Sequence, residues 1–420
     1  MNAVVFPSAL GGNLGAIPSK SFVHRALICA SLADEPTRLR CPRTCADIEA
    51  TADCLRALGA VIERDGDYFD ITPCKTPDKA DLFCRESGST LRFLLPVAAA
   101  LGVDSVFHTE GRLSARPLSP LYEEMERHGI SLSGNGVFPM SMTGKLQAGE
   151  YSLDGGVSSQ FFTGLLLALP LAGKDSTITV EGKLESAPYV ELTLDVMKLF
   201  GVEAEFDGKT MTVHPAQYHS PGTIHSEGDW SNAAFWLAAG VIGGDLSVDE
   251  LRPDSAQGDK VIVSFLRRMG ARITEENGVY KAFRSELHGI DIDASHYPDL
   301  VPILAVTAAF AKGTTRFTNA ARLRLKESDR IASVCDMITS LGGSCIPTDD
   351  GMIIEGKSYL PGGTVDACGD HRIAMSAAVA ACRCASEVNI VGAEATAKSY
   401  PQFFEDYEKV GAKVCFHTEK

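Results

Sequence analysis

Apolar positions recur along the chain in two helical patterns that alternate with short β-rich segments. In the first pattern an amphipathic helix runs into glycine and then into a β-former, as in "LRALGAVI", "MERHGISL", "MKLFGVEA", "LRRMGARI", "ITSLGGSC" and "YEKVGAKV". Glycine directly after a helix commonly adopts the left-handed conformation that ends it. These glycines lie 69 to 72 residues apart, at Gly59, Gly129, Gly201, Gly270, Gly342 and Gly411. The spacing predicts six similar units that fill the chain.

The second helical pattern is apolar nearly all round. Its six copies are "FVHRALICASLA", "TLRFLLPVAAALG", "QFFTGLLLALPLAG", "NAAFWLAAGVIGG", "LVPILAVTAAFA" and "RIAMSAAVAAC". A helix without a polar face has to be buried on every side. Each unit is therefore predicted to hold one buried helix, one outer helix and several strands, which makes the fold class α/β (α+β).

Polar residues stand where each buried helix is expected to begin. Equivalent positions, 68 to 72 residues apart, are Ser21, Ser89, Ser159, Ser231, Asp299 and His371. If like units pack alike, these helix N-termini face a common region, and each contributes about half a positive charge from its dipole. The pattern predicts an anion-binding site before any side chain is counted.

The loops before the outer helices are expected to add cations to that site. Three outer helices are predicted to open with proline at the first helical position, at Pro117, Pro188 and Pro401, and a fourth opens within "LRLKESDRI". Taken alone, "KESDR" is more typical of a solvated helix start with ion pairs. Cations at equivalent places in several units favour a binding cleft, whose predicted cations are Lys20, Arg25, Arg92, Arg116, Lys326, Arg330, Arg372 and Lys398.

So many cations indicate a ligand with two or more anionic groups, such as a phosphate and a carboxylate. Two carboxylates, Asp299 and Glu327, lie among the cations and are candidates for base and acid, because neighbouring charges tune their protonation. No His, Asp and Glu cluster has metal-ligand spacing, and "GGNLG" lacks the strand and helix of a dinucleotide loop. We expect neither a cofactor nor a metal.

Composition narrows the functional classes. The chain has 420 residues, 45% hydrophobic and 22% charged, which is enough for two globular domains. The net charge of −15 disfavours a nucleic-acid partner. The twelve cysteines are scattered without a Cys-x-x-Cys pair, so we interpret them as reduced thiols. With no signal-peptide pattern and no bilayer-length apolar run, the sequence predicts a soluble, cytoplasmic protein without a membrane partner.

Several motifs together carry a family resemblance. They are "PSKSFVHRALICASLA", "ESGSTLRFLLPVAAALG", "RLSARPLSPL", "GGVSSQFFTGLLLALPL", "GDWSNAAFWLAA", "RLRLKESDRI", "GDHRIAMSAAVAA" and "AKSYPQFFEDY". In this order, from about residue 10 to residue 407, the chain resembles the 5-enolpyruvylshikimate-3-phosphate synthase (3-phosphoshikimate 1-carboxyvinyltransferase) family of enolpyruvyl transferases.

The resemblance implies the enolpyruvyl transferase fold, an inverted α/β barrel. It has two similar domains of three β-α-β-α-β-β units each, with buried helices that direct their N-termini to the cleft between the domains. The first strand of the family crosses into the C-terminal domain, which places the domains at 19–227 and at 1–18 with 228–420.

The implied reaction transfers the enolpyruvyl group of phosphoenolpyruvate to the 5-hydroxyl of shikimate 3-phosphate and releases phosphate, the step before chorismate in aromatic amino acid biosynthesis. The resemblance assigns catalysis to Asp299, Glu327 and Lys20. It assigns phosphoenolpyruvate binding to Lys20, Gly88, Ser89, Arg92, Arg116, Gln160, Arg330, His371, Arg372 and Lys398. It assigns shikimate 3-phosphate binding to Lys20, Ser21, Arg25, Ser158, Ser159, Gln160, Ser186, Tyr189, Asp299, Arg322 and Lys326.

The chain departs from the family pattern at two positions. Glu86 and Arg322 stand where many members have Asn, so we expect the side chain of Glu86 to turn away from a bound anion. The family is also the target of glyphosate, for which Gly88 leaves room, and it leans toward monomers. Two alternatives stay open: UDP-N-acetylglucosamine enolpyruvyl transferase, whose loop cysteine is missing from "FHTEGRLSARP", and a non-catalytic anion-binding protein of the same fold.

Overall fold

The computed structural model describes residues 1–417, and the chain folds as two compact units. One unit is Pro18–Ser226, and the other joins Met1–Ile17 to the chain from Glu227 onward. The described residues form twelve α-helices: α1 (Lys20–Leu32), α2 (Ala46–Ala57), α3 (Gly88–Leu101), α4 (Leu121–Arg127), α5 (Ser159–Ala168), α6 (Ala187–Leu199), α7 (Trp230–Gly243), α8 (Ile262–Arg268), α9 (Val301–Ala309), α10 (Arg330–Ser340), α11 (His371–Ala381) and α12 (Phe403–Lys409).

The strands are short and numerous. Residues 1–417 contain β1 (Asn2–Phe6), β2 (Leu10–Gly15), β3 (Thr37–Arg40), β4 (Val61–Asp65), β5 (Tyr68–Thr72), β6 (Lys79–Phe83), β7 (Asp104–His108), β8 (Ile130–Leu132), β9 (Met140–Gly144), β10 (Glu150–Asp154), β11 (Ser176–Glu181), β12 (Ala204–Phe206), β13 (Thr210–Val213), β14 (Thr223–His225), β15 (Gly244–Asp249), β16 (Arg272–Glu276), β17 (Val279–Phe283), β18 (Asp291–Asp293), β19 (Thr314–Thr318), β20 (Ser344–Pro347), β21 (Met352–Glu355), β22 (Gly363–Asp366), β23 (Val388–Val391) and β24 (Lys413–His417).

The strands assemble into six four-stranded sheets with one shared plan. In each sheet a parallel pair continues into two antiparallel neighbours. The orders are β14-β3-β5-β4, β6-β7-β9-β8 and β10-β11-β13-β12 in the unit 18–226, and β2-β15-β17-β16, β18-β19-β21-β20 and β22-β23-β1-β24 in the other unit. Six copies of one sheet confirm the six-unit prediction.

The two N-terminal strands complete two different sheets of the same unit. β2 pairs in parallel with β15, and β1 lies antiparallel between β23 and β24. In the unit 18–226, the last strand, β14, pairs in parallel with the first strand, β3. Each unit therefore closes by joining its first and last segments in one sheet.

The odd-numbered helices are the apolar ones predicted to be buried. Every residue of α9 and of α11 is buried, and α7 is buried from Trp230 to Ile242. Five of the six begin with a polar side chain that accepts a backbone N–H of the first turn, namely Ser19, Ser87, Ser158, Asp229 and Asp370. α9 has no such cap, since Asp299 lies two residues before its first helical residue.

The even-numbered helices end as predicted but do not all begin as predicted. All six repeat glycines have positive φ, between 74° and 104°. Pro188 is in the first turn of α6, at the second helical residue rather than at the first, where it was predicted. The expectation for Pro117 and Pro401 is wrong: α4 begins at Leu121 and α12 at Phe403, because turn residues precede each helix, at 119–120 and at 401–402. Proline fits such turns as well as it fits a helix start.

The substitution Gly59→Ala tests why glycine is needed at the repeat positions that follow the even-numbered helices. The φ of Gly59 is +98°, and a Cβ there would lie 2.2 Å from the carbonyl oxygen of Lys75. We expect Gly59→Ala to lower the free energy of unfolding by about 3 kcal/mol, because a left-handed penalty and a backbone clash add. Urea unfolding measures the loss.

Gly208→Ala is the matched control. Gly208 has φ +95°, but a Cβ there would meet no atom within 4 Å, so only the conformational penalty of about 1–2 kcal/mol applies. Equal losses in the two variants would contradict the close approach at Lys75.

Candidate active site

Arg330, the first residue of α10, is the centre of a buried charge cluster. Only 1% of its surface is exposed. Its Nη1 donates to Asp299 at 2.7 Å, its Nη2 to Glu327 at 2.8 Å and its Nε to Asp370 at 2.8 Å. Although burial opposes a charged guanidinium, Asp370, Glu327 and Asp299 together raise the pKa of Arg330 above its ordinary value. One guanidinium thus fixes three carboxylates.

Asp299 is also held by a second guanidinium. Arg372, in the first turn of α11, donates to the Asp299 backbone oxygen and to its Oδ2, both at 3.1 Å. Burial alone would raise the pKa of Asp299, but Arg372, Arg330 and Lys326 hold it far below its usual range. The carboxylate is therefore ionised, and two guanidinium groups fix its orientation.

Asp370 belongs to the same charge cluster, although the sequence analysis did not assign it to the site. It is fully buried, caps α11 through the backbone N–H of Arg372 at 2.9 Å and accepts the hydroxyl of Ser328 at 3.2 Å as well as Arg330. A signal was available, because Asp370 immediately precedes two predicted site residues at a helix start. What the sequence does not contain is the position of Arg330 beside it, 40 residues away along the chain.

Glu327 and Lys326 lie in the loop between the 3-10 helix Ala321–Leu325 and α10, which begins at Arg330 within "LRLKESDRI". Burial lowers the pKa of Lys326 to about 7, against the attraction of Asp299 and with added repulsion from Arg322 and Arg330. Arg322 itself donates to the Ser295 backbone oxygen at 2.6 Å. Lys326 is consequently a cation that titrates near neutrality.

A second carboxyl group of shifted pKa belongs to the same unit. Asp259 is fully buried and accepts the hydroxyl of Ser231, in the first turn of α7. Burial raises the pKa of Asp259 to about 6, and the charge of Asp299 adds to that effect, while Arg372 and the Ser231 hydroxyl oppose it. No sequence signal pointed to Asp259, since "QGDK" reads as an ordinary turn.

The remaining predicted residues of this unit lie at element ends. His371 begins α11 and is 1% exposed, with its Nδ1 3.8 Å from Asp370 Oδ1. Lys398 ends the 3-10 helix Ala393–Lys398 and is 9% exposed. Both are buried cationic or titratable side chains in the unit that contains Arg330.

In the unit 18–226, Lys20 is held by a carboxylate. Its Nζ donates to Asp47 Oδ2 at 2.8 Å, with 18% of the Lys20 side chain exposed. Asp47 belongs to the first turn of α2, where a negative side chain also complements the helix dipole. Because Lys20 is both tethered and partly accessible, its ammonium group has a fixed direction.

Arg25 donates to neutral oxygens rather than to carboxylates. Its Nε donates to Thr193 at 2.8 Å, its Nη1 to the Ser21 oxygen at 2.7 Å and its Nη2 to the Tyr189 oxygen at 2.9 Å. Burial lowers the pKa of Arg25 to about 10, against the effects of Tyr189 and Cys29. The side chain links α1 to α6 and places Ser21 and Tyr189, two predicted binding residues, around one guanidinium.

A polar network joins α3 and α5. Arg92 donates to Gln160 Oε1 at 2.8 Å and to the Pro117 oxygen at 3.0 Å, and Gln160 donates to Ser89 at 2.9 Å. A Cβ on Gly88 would lie 2.9 Å from Arg116 Nη1 and 3.1 Å from Arg92 Nη1. Glycine at this position therefore lets two guanidinium groups approach the N-terminus of α3.

The loop that carries Arg116 is tied to Glu86. The Glu86 carboxylate accepts the backbone N–H of Arg112 at 3.1 Å.

The predicted binding serines of this unit lie at helix starts. Ser158 caps α5 through the backbone N–H of Gln160, and Ser159 begins that helix. Ser186 precedes α6 with φ +55° and is 4% exposed, a left-handed backbone that a serine adopts only under constraint. Such strain is frequent at binding sites.

The eight predicted cations are thus divided between the two units. Four of them lie in the unit 18–226, and the other four lie in the unit that contains α10 and α11. In residues 1–417 no group of three or more His, Cys, Asp and Glu side chains is placed to hold a metal ion. No helix within this described part of the chain has both the length and the apolar character needed to cross a bilayer.

Comparison with known proteins identifies the family. A family model of EPSP synthase (3-phosphoshikimate 1-carboxyvinyltransferase) matches residues 5–407. Relatives named 3-phosphoshikimate 1-carboxyvinyltransferase include one from Clostridium acetobutylicum, 41% identical over 99% of this chain and 98% of its own, and one from Clostridium kluyveri, 40% identical over 97% of each. The chain belongs to the EPSP synthase family.

Solved structures agree with this family. The chain is similar to EPSP synthase from Acinetobacter baumannii, with a TM-score of 0.83 and 27% identity over 99% of this chain and 100% of that one. It also shares its fold with the enolpyruvyl transferase NikO from Streptomyces tendae, with a TM-score of 0.77 and 20% identity over 99% and 98% of the two chains. The predicted enolpyruvyl transferase fold is confirmed.

As a member of the EPSP synthase family, the chain is a transferase of the shikimate pathway, which supplies aromatic amino acids, and its substrates are phosphoenolpyruvate and shikimate 3-phosphate. This confirms the main prediction of the sequence. The UDP-N-acetylglucosamine enolpyruvyl transferase and the non-catalytic protein are set aside by the same matches.

Asp370→Asn tests the buried charge cluster of the enzyme. Asparagine keeps the shape and the capping ability of Asp370 but removes the charge that faces the buried Arg330. We expect the free energy of unfolding to fall by about 3 kcal/mol, because an unpaired buried cation is costly. Chemical denaturation measures the change.

Asp329→Asn is the matched control. Asp329 caps α10 as Asp370 caps α11, but its ion pair with Arg324 is about one third exposed on both sides. The loss there should stay below about 1 kcal/mol. An equal loss at both positions would show that the buried charge of Asp370 contributes no more than the exposed charge of Asp329.

Proposed function

We propose that the Arg330 cluster performs the acid–base steps of enolpyruvyl transfer. Glu327 delivers a proton to C3 of phosphoenolpyruvate, and Asp299 accepts the proton of the 5-hydroxyl of shikimate 3-phosphate as that oxygen attacks C2. The tetrahedral intermediate then loses phosphate from C2 and a proton from C3. Glu327 takes this proton back, and the proton held by Asp299 passes to the departing phosphate. Lys20 offsets the charge of the phosphate group.

The observation that carries this proposal is the shared guanidinium. Arg330 donates to Asp299 at 2.7 Å and to Glu327 at 2.8 Å, so two carboxylates stand at fixed places around one cation. Asp299 is 26% and Glu327 16% exposed at the side chain, whereas Arg330 is 1% exposed. The carboxylates are thus accessible to a ligand while the group that orients them is not. Rigid placement of an acid and a base is what an addition–elimination mechanism requires.

Substrate recognition is proposed for the side chains that the family resemblance assigns. Hydroxyl and amide groups of the unit 18–226 suit a polyol phosphate. Two of the residues that carry them, Ser21 and Tyr189, lie side by side because Arg25 donates to the backbone oxygens of both. Guanidinium groups suit the carboxylate and phosphate of phosphoenolpyruvate, since their forked donors match these anions. Within one unit, Arg92 and Arg116 converge at Gly88.

Three further properties remain proposals. Glyphosate is proposed as an inhibitor, supported by the space that Gly88 leaves beside Arg92 and Arg116. A monomeric state and a cytoplasmic location are proposed from the family resemblance and from the sequence, respectively.

Glu327→Gln tests the acid–base role. Glutamine can still accept the hydrogen bond of Arg330 but cannot donate a proton to carbon, so we expect turnover to fall by at least about 100-fold. Phosphate release from phosphoenolpyruvate with shikimate 3-phosphate as acceptor measures the rate. Substrate binding, followed by calorimetry, should change little.

The control variant is Glu405→Gln, at an exposed position of α12, which should turn over like the unaltered enzyme. UDP-N-acetylglucosamine serves as a control acceptor and should release no phosphate with any variant. Near-normal turnover by Glu327→Gln would remove the acid–base role from Glu327.

Lys326 gives a pH dependence whose sign follows from its pKa of about 7. Below this pH the free enzyme carries the Lys326 cation, and above it the cation is lost. If Lys326 binds shikimate 3-phosphate, kcat/KM for this substrate falls about tenfold per pH unit above the pKa when phosphoenolpyruvate is kept low enough that the free enzyme predominates. Steady-state kinetics between pH 6 and pH 9, as an approximate range, measures this fall.

Lys326→Arg distinguishes this cause from others, because a guanidinium stays charged over the whole range. In this variant the fall in kcat/KM at alkaline pH should disappear or move above the measured pH range, even if the absolute activity is lower. The exposed substitution Lys312→Arg should leave the profile unchanged. An alkaline limb that persists in Lys326→Arg would assign the titration to another group.

A further inference from the structure

Two thiols lie unusually close together on the outer layer of the unit that contains Arg330. Cys335 belongs to α10 and Cys345 to β20, and their sulfur atoms are 2.8 Å apart. Both are free cysteines. A disulfide bond has a sulfur–sulfur distance of about 2.05 Å, so a movement of less than about 1 Å separates the pair from a covalent link.

The two thiols are chemically unequal. The hydrogen bond from Cys345 lowers the pKa of Cys335, against burial and the charge of Asp336, and the positive charge of Arg324 helps. The same hydrogen bond raises the pKa of Cys345, and burial adds to the increase. When one of the two thiols loses its proton, the other can donate a hydrogen bond to the thiolate across the short sulfur–sulfur contact. Thiolate character is what makes a cysteine react with oxidants.

The charged groups around the pair come from two neighbouring elements. Asp336 is the next residue of α10, Asp329 caps the same helix, and Arg324 lies in the preceding 3-10 helix and donates to Asp329 at 3.0 Å. Cys345 is only half buried, whereas Cys335 is 5% exposed. A small oxidant therefore approaches the pair from the side of Cys345.

We propose that Cys335 and Cys345 form a peroxide-reactive dithiol in which Cys345 resolves the oxidised Cys335 as a reversible disulfide. The Cys335 thiolate attacks one oxygen of hydrogen peroxide, the O–O bond breaks, and the sulfenic acid forms with release of hydroxide. The sulfur of Cys345 then attacks Cys335, the S–O bond breaks, and a disulfide and water result. Two thiols are oxidised, and one peroxide is reduced to two waters.

A second pair of neighbouring cysteines, in the unit 18–226, serves as a comparison. Cys54, on α2, and Cys84, just after β6, also share a sulfur hydrogen bond, and this contact and burial raise the pKa of Cys84. Both of these thiols are 1% exposed or less. The exposed Cys368 and Cys415 have the opposite character, since no second sulfur lies within hydrogen-bonding distance of either in residues 1–417. Proximity, thiolate character and access therefore coincide only at Cys335 and Cys345 among the described residues.

The consequence for the enzyme is protection of Cys335. Without a resolving thiol, a sulfenic acid reacts with more peroxide to give sulfinic acid, which is not reversed by thiols. Because the sulfurs need to move so little, the disulfide should leave Arg330, five residues earlier on α10, in place. We therefore expect the oxidised enzyme to keep its activity.

Peroxide titration of the full-length enzyme, followed by alkylation and peptide mass spectrometry, tests the proposal. We expect the Cys335–Cys345 disulfide to be the first oxidation product and to form at least about 10-fold faster than any Cys54–Cys84 disulfide, because the latter pair lacks access and thiolate character. Dithiothreitol should return both thiols. In Cys345→Ser, Cys335 should instead gain two oxygen atoms, and dithiothreitol should not reverse this change.

Cys84→Ser is the matched control and should leave the product at Cys335 unchanged. Activity measured before and after oxidation separates a local modification from unfolding. The proposal is overturned if Cys368, Cys415 or the Cys54 pair is oxidised first, or if Cys335 gives the same product with and without Cys345.

Discussion

The burial of Arg330 is the constraint on which the catalytic unit depends. A guanidinium with 1% exposure has lost nearly all of its water, and the cost of that loss is large unless its N–H groups meet acceptors of opposite charge. Asp370, Asp299 and Glu327 supply these acceptors from the start of α11, the loop before α9 and the loop before α10. Three segments that are far apart in sequence are therefore held in one arrangement by one side chain.

Each unit contains a buried arginine, but the two side chains contact different kinds of acceptor. Arg25 is 2% exposed and donates to hydroxyl and backbone oxygens, so burial dominates and lowers its pKa. Arg330 is as buried but faces carboxylates, so its pKa rises. Neutral acceptors orient a cation without cancelling its charge, whereas carboxylates cancel it. In the function proposed above, the first arrangement keeps positive potential for an anion, and the second orients carboxylates for proton transfer.

Periodic features of the fold were predictable from sequence because they have local causes. The repeat glycines had to be glycine for a positive φ, and the caps before the buried helices needed a side-chain acceptor for a free N–H group. The misplaced helix starts at Pro117 and Pro401 have a local cause too, but proline suits a turn and a helix start equally. Local rules therefore located the helix ends better than the helix beginnings.

The partners of the site residues were not predictable in the same way, because pairs such as Lys20 with Asp47 depend on which helices pack side by side, and a single sequence does not specify that packing. The family resemblance supplied the identities of the site residues, but it did not supply Asp370 or Asp259, which act on those residues through contacts and charge.

The proposed anion site around Arg330 would also couple binding to protons. Lys326 and Asp259 have pKa values of about 7 and about 6, so both titrate in the range where the enzyme is expected to work, while Asp299 stays ionised. An anion bound beside Lys326 stabilises its ammonium form and raises that pKa. By linkage, binding near neutral pH then takes up protons, and the site gains positive charge as the negative charge of the ligand arrives. The cluster therefore needs no fixed excess of cations, which fits the three carboxylates that contact Arg330.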